Sequence, residues 1–322
     1  MKTLEEIQVH PIFRALNPRG KYFLKKHKLS TKLNPHADRV NIFALTIDSF
    51  PHIKSVPAFE MMLAQYKAGK YEGKTTLVVP SSGNTAHGVA RLAPAYGLDV
   101  KIVLSTDVSP GKKGILAALS SVKILEVPSG TQEYAIEEAK RNGHVLLDQY
   151  NLDAEANAES HFLHTGPAIL AVFGGAPDIF AASMGSAGTV VGCSRYLKRI
   201  RPKTVVVGVR PAVGQQSPGT RDRKKMEAVD TLPYEEACDV IIESGGRKES
   251  FTRMRQLWSE VEPQPGPSSG LAFDGLLRYL EGSQAGGPGA QKLTAAFICP
   301  DDGRFYPEYT TSELDTHEGV IS

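Results

Sequence analysis

The sequence has 322 residues, 41% hydrophobic and 22% charged, ordinary values for a soluble globular protein with room for a substantial core and two domains. A formal net charge of +2 gives no electrostatic case for nucleic acid, and no stretch approaches the roughly 20 apolar residues of a membrane span. Three cysteines, none in a C-x-x-C pair, argue against a disulfide framework or a structural zinc site and lead us to expect a reducing, cytoplasmic setting.

From the N-terminus, "MKTLEEIQVH" has no apolar h-region, so no signal peptide is expected. The basic stretch 21–32, "KYFLKKHKLSTK", reads as a solvated surface segment rather than a binding arm. A regular alternation then begins. Strands are predicted over 75–79, 100–105, 122–127, 144–149, 178–183 and 204–209, and helices over 85–96, 110–119, 132–141, 161–172 and 189–200. Beyond 209 the pattern loosens. "DVIIES" (239–244), helices over 250–261 and 269–281, a Gly-rich loop over 281–291 and "LTAAFICP" (293–300) follow. Strands apolar on both faces, separated by amphipathic helices, predict an α/β protein with parallel sheets covered on both sides. One lobe is expected from 76–149 and a second set of elements from 178–300. A ligand cleft is expected at the C-terminal ends of the strands.

Two strand-to-helix bends carry small and polar residues. Ser81, Ser82, Gly83, Asn84 and Thr85 form the first, and Gly185, Ser186, Ala187, Gly188 and Thr189 the second. Each offers hydroxyls and backbone N–H groups at a helix N-terminus, a setting for anions. Together they point to a ligand with two anionic groups, or to two ligands side by side. A nucleotide reading is weak. Ala187 breaks G-x-G-x-x-G, and the strand at 204–209 ends at Arg210 with no acid for a ribose, although Arg210 could meet a 2′-phosphate. His161 and His164 share i, i+3 spacing on one helix. No carboxylate is arranged beside them, so they read as structural and no metal site is expected.

At this point the motifs resemble a known family. "PSSGNTAHGVA" resembles the T-S-G-N-T-G substrate loop of the cysteine synthase and cystathionine β-synthase family, the type II fold of pyridoxal phosphate enzymes. Lys54, 28 positions before Ser82 in "DSFPHIKSVPAFEMM", stands where the family has its Schiff-base lysine. "SPGKKGILAAL", "LLDQYNLDAEANAESHFLHTGPAI", "GSAGTVVGCSRYLK", "GPSSGLAFDGLL" and "ICPDDGRFY" are similar to further family motifs in the same order, covering about residues 40 to 310. Departures include Phe50, Pro51 and His52 before the lysine, Ser55 and Val56 after it, Ala86 in the first bend and Ala187 in the second.

The resemblance implies a tryptophan synthase β-like fold of two lobes. Residues 48–160 would form a smaller mobile lobe, and 1–47 plus 161–322 a larger lobe that binds the cofactor phosphate. It implies pyridoxal 5′-phosphate carried by Lys54, which also serves as catalytic base. Gly185, Ser186, Ala187, Gly188 and Thr189 would cup the phosphate, Asn84 would meet the ring oxygen O3′, and Asp302 the ring nitrogen. Ser81, Ser82, Gly83, Thr85 and Gln149 would bind the substrate carboxylate, and Arg221 a charged leaving group or co-substrate. Tyr306 and Cys299 would pack near the cofactor. Ala187 is expected at negative φ, where alanine is unstrained. The implied reaction is β-replacement through an aminoacrylate on a serine, O-acetylserine or O-phosphoserine type donor, with a small nucleophile as second substrate. The alternatives are β-elimination, as in a serine/threonine dehydratase or a cysteine desulfhydrase, and a non-catalytic amino-acid-binding homologue. A homodimer is expected, without nucleic-acid or membrane partners.

Overall fold

The computed structural model describes residues 2–81, 83–108, 110–229, 232–283, 291–303 and 306. Its strands, in chain order, are β1 (Leu24–Lys28), β2 (Val40–Ile47), β3 (Thr76–Pro80), β4 (Asp99–Ser105), β5 (Val122–Val127), β6 (Val145–Leu146), β7 (Ile179–Ser183), β8 (Val205–Pro211), β9 (Val240–Ser244) and β10 (Leu293–Ile298). They form two sheets, a six-stranded one in the order β1-β2-β10-β7-β8-β9 and a four-stranded one in the order β5-β4-β3-β6. Among the described strands, only the pairing of β1 with β2 is antiparallel.

Burial follows from composition. Every residue of β3 is buried, and β2, β7 and β10 are apolar on both faces. Helices must therefore cover both sides, as parallel sheets require. The helix Pro267–Gly282 opens on proline, whose missing N–H costs nothing there, and its Phe273 stacks on Phe297 of β10 with ring centroids 5.3 Å apart. No helix among the described residues is long and apolar enough to cross a membrane.

Four elements depart from the sequence expectations. The basic stretch at 21–32 holds β1, an edge strand whose Lys25, Lys26 and Lys28 stay exposed; charges on an edge discourage further pairing. β2 pairs with β10 from the far end of the chain. The strand expected over 144–149 shrinks to Val145–Leu146, because Asp148 Oδ1 accepts from the Tyr150 N–H at 2.9 Å and bends the chain away. The helix expected over 161–172 begins as a π turn, His161–Thr165, where the Gly166 N–H reaches back to the His161 carbonyl, and continues as Gly166–Phe173. The loop expected over 281–291 lies mostly outside the described residues.

The C-terminal ends of the two sheets meet around one cavity of about 340 Å³. Pro80 of β3, Ser105 of β4, Ser183 of β7 and Pro300 after β10 all line it.

Candidate active site

Lys54 stands immediately before the helix Ser55–Lys67, in a buried and largely apolar segment. The Ile53 N–H donates to the Pro300 carbonyl at 2.6 Å, and His52 bridges to Asp301, so the lysine is tied to the end of β10. Burial pushes its amine down to about 8. The Nζ donates to the Ser186 hydroxyl at 3.0 Å, which places the lysine against the second bend.

That bend lies between β7 and the helix Gly188–Ile200. No described side chain caps this helix, whose first turn lines the cavity, so its first N–H groups have no internal acceptor. Asn157 packs against this bend. Its Nδ2 donates to Ser186 Oγ at 2.9 Å, and its buried Oδ1 has no partner among the described residues. A Cβ on Gly188 would fall 2.3 Å from that Oδ1, so any larger residue there would have to displace the Asn157 amide. Gly185, Ser186, Ala187, Gly188 and Thr189 all line the cavity.

Ala187 corrects one expectation. It sits at φ 59°, ψ −4°, in the left-handed region rather than at negative φ. The turn from β7 into the helix demands this geometry whichever residue occupies it, and alanine bears a strain of roughly 1–2 kcal/mol. Ala187→Gly removes that strain and adds unfolded-chain entropy worth roughly 0.4–1 kcal/mol. The expected net result is a small rise in the melting temperature of the cofactor-free protein, read by calorimetry; a fall would show that the Ala187 methyl contributes more by packing than its φ costs.

The first bend faces the second across the cavity. Ser81, Gly83, Asn84 and Thr85 line it, and Ser82 lies outside the described residues. Thr85 Oγ1 donates to Gln149 Oε1 at 2.9 Å, joining two residues that the sequence separates by 64 positions. Asp153 steadies this region by accepting from Gln65 Nε2 and from the Asp148 N–H. Arg221 lines the same cavity with its guanidinium 3.7 Å from the Tyr150 ring centroid, a cation–π contact that holds the charge at the wall.

Asp302 does not line the cavity; its neighbour Asp301 does, with Tyr306 and Ser268. The reason is parity. His52 bridges to Asp301 and Pro265 to Asp302, and successive side chains in extended chain point to opposite sides. The His87 ring also lines the cavity, with Nδ1 2.8 Å from Nε2 of buried His52. Burial keeps both imidazoles neutral, that of His87 at about 4. Sequence reading missed this pair, whose only signal was His52 among the departures before the lysine.

Other candidates fall elsewhere. Arg210 is not among the cavity residues and pairs with Glu243 of β9 at 3.0 Å. His161 lies 2.9 Å from Thr165 Oγ1 and 3.2 Å from Thr189 Oγ1, whereas His164 meets Glu60 at 2.8 Å, so the two rings serve different partners. Cys299 is buried and is not among the described cavity residues.

The described lining carries Lys54, Lys112 and Arg221 against the single carboxylate Asp301, a balance that suits an anionic ligand. An uncapped helix end beside a buried lysine amine, with glycine where a Cβ would strike the Asn157 side chain packed against the turn, fits a phosphorylated aldehyde. Comparison with known proteins agrees. Residues 52–292 match the family described as pyridoxal-phosphate dependent enzyme. The chain is 29% identical over 257 residues to cysteine synthase B of Escherichia coli K12, covering 79% of this chain and 82% of that protein. It is 30% identical over 231 residues to cysteine synthase B of Pseudomonas aeruginosa, covering 70% and 76%. In fold it is similar to the O-acetylserine dependent cystathionine β-synthase of Helicobacter pylori, with a TM-score of 0.77 at 22% identity over 93% of this chain and 97% of that one. The family match runs through Lys54 and both bends, and the chain belongs to the pyridoxal-phosphate dependent enzymes.

Proposed function

We propose that this enzyme catalyses β-replacement on an amino acid of the serine, O-acetylserine or O-phosphoserine type. The observation that carries the reading is the meeting of three features in one cavity: the Lys54 amine, the uncapped 185–189 turn, and the hydroxyls and amide of Ser81, Asn84 and Thr85 with Gln149. Cysteine synthase B is the name borne by two relatives, and the structural neighbour is described as O-acetylserine dependent.

Bound pyridoxal phosphate supplies the electron sink that lets bonds at Cα and Cβ of the amino acid break. The chain's residues do the rest. Lys54 holds the cofactor and takes the Cα proton, its amine already near neutrality by burial. The 185–189 turn takes the phosphate, and Asn84 the ring oxygen. Ser81, Ser82, Gly83, Thr85 and Gln149 orient the substrate carboxylate. In the same reading the active form is a cytoplasmic homodimer, and residues 48–160 move as a lobe to close the cleft.

The test is a screen of the cofactor-loaded enzyme against serine, O-acetylserine and O-phosphoserine, each with sulfide, scoring new amino acid against ammonia and keto acid. A new amino acid is expected; ammonia and keto acid alone would overturn replacement in favour of elimination. Arg221 bears on the donor. Its removal is expected to raise KM for O-phosphoserine about 10-fold or more while changing KM for serine by less than about threefold, because a charge-assisted hydrogen bond contributes about 1.5–3 kcal/mol. Equal changes for both donors would place Arg221 outside the donor's reach.

A further inference from the structure

Asp301 is buried at the end of β10 and is the one carboxylate among the described residues lining the cavity. Its Oδ2 accepts from two directions, from Asn84 Nδ2 at 2.5 Å and from the Tyr306 hydroxyl at 2.7 Å. Its Oδ1 is buried without a hydrogen-bond partner among the described residues, packed where a Cβ on Gly266 would otherwise sit. Asn84 follows β3 of the four-stranded sheet, while Asp301 follows β10 of the six-stranded one, so the bond spans the cleft.

We infer that Asp301 is a positioning residue: it fixes the Asn84 amide across the cleft so that a set N–H faces the cofactor. A side-chain amide has a donor end and an acceptor end of nearly the same shape. A carboxylate only accepts, so it selects the NH₂ end and leaves the second N–H of that group for a ligand oxygen. Without it, Asn84 is free to turn its carbonyl oxygen to the ligand, which repels an anionic ring oxygen. The carboxylate itself is poised to titrate. Burial pushes it up to about 6, against the pull of the Tyr306 and Asn84 hydrogen bonds and of the Lys112 charge. The groups around it are Tyr306, Lys112, whose Nζ lies 4.8 Å from the Tyr306 ring centroid, Asp302, Cys299 and, through the main-chain bridge, His52. At pH 7 Asp301 is mainly ionised and holds both donors. At pH 5 it is mainly protonated and holds them weakly.

This rests on the assignment of Asn84 to the cofactor, and the experiment separates the two. Pyridoxal phosphate dissociation constants are measured by absorbance for the wild type, N84A, D301N and the double variant, from pH 5 to pH 8. Each single variant is expected to bind about 10-fold more weakly at pH 7, and the double variant within about twofold of the weaker single, because the carboxylate acts through the amide. The ratio of D301N to wild type should fall toward 1 at pH 5, which cancels titration of the phosphate and of Lys54. N84A binding like the wild type would remove the assignment of Asn84, and the role of Asp301 with it. Additive losses, or a ratio constant with pH, would overturn the role of Asp301 alone. If D301N shows no cooperative melt, Y306F decides. It removes a bond that favours the ionised carboxylate, so the acid loss of cofactor must move to higher pH, and an unmoved midpoint overturns the inference.

Discussion

Lys54→Ala is expected to give a folded protein that binds pyridoxal phosphate without a borohydride-reducible attachment and turns over at least about 10⁴-fold more slowly, since nucleophile and base vanish together. The fold should not suffer. The amine donates to the Ser186 hydroxyl, and its burial already disfavours the charged form. Replacing it removes a desolvated cation and leaves a small gap, so the cofactor-free melting temperature should stay level or rise. That combination, lost chemistry with retained stability, marks a group held in a costly place for its function. The pH dependence has a definite sign. With the amine pushed down to about 8, the free base grows as pH rises to that value, so the wild-type rate of cofactor attachment should climb from pH 6 and level off above about 8. A yellow Lys54→Ala protein whose colour is fixed covalently by borohydride would show that another lysine carries the cofactor.

The alternating middle of the chain was legible because each buried strand is short, apolar on both faces and bounded by an amphipathic helix. β3 to β5, β7 and β8 therefore stood out. β1 and β2 did not. β1 is an edge strand that reads as a charged loop because its lysines face solvent, and β2 precedes the alternation and owes its place to β10, some 250 positions away in the register from Val40 to Leu293. Local pattern carries no information on such a partner. The truncated β6 has the same character, because what ends it is the Asp148 side chain bonding its own backbone, a choice made by one carboxylate rather than by periodicity.

The site was legible where function needs a residue type at a bend and illegible where it needs parity or pairing. Lys54, both bends, Gln149 and Arg221 reach one cavity from positions spread over 168 residues of sequence (54 to 221). Asp301 and Asp302 are adjacent and alike, and only the strand-like bridges decide which of them turns inward. His52 and His87 meet ring to ring through the packing of two helix starts, which no spacing rule announces. The Ala187 backbone failed for a related reason. Residue preference argued for negative φ, and the geometry of a strand entering a helix overrode it.

Gly185→Ala should have the second large effect, and it should act on the phosphate. Gly185 is not at positive φ, so alanine is acceptable to its own backbone. The obstacle is across the gap: a Cβ there would lie 2.5 Å from the Gly219 carbonyl oxygen, closer than real contacts allow. That oxygen belongs to backbone, and its segment is anchored by the Arg221 N–H donating to the Met184 carbonyl at 3.0 Å and the Thr220 N–H to the Ser217 carbonyl at 3.1 Å. Neither side can yield by rotating a side chain. The 185–189 turn must shift by several tenths of an ångström, and its N–H groups lose their aim. Overpacking of this kind costs about 1–3 kcal/mol, and misplaced donors add to it. Affinity for pyridoxal phosphate is expected to fall about 100-fold, with the cofactor-free melt lowered by only a few degrees. Gly175→Ala, with open space around its added methyl, should change neither. Pyridoxal, which lacks the phosphate, should bind Gly185→Ala and the wild type within about threefold of each other, because the damaged turn serves the phosphate alone. Equal loss for both ligands would show that the turn acts on the ring or on the fold, and a Gly185→Ala protein that keeps its cofactor would move the phosphate to the 81–85 bend instead.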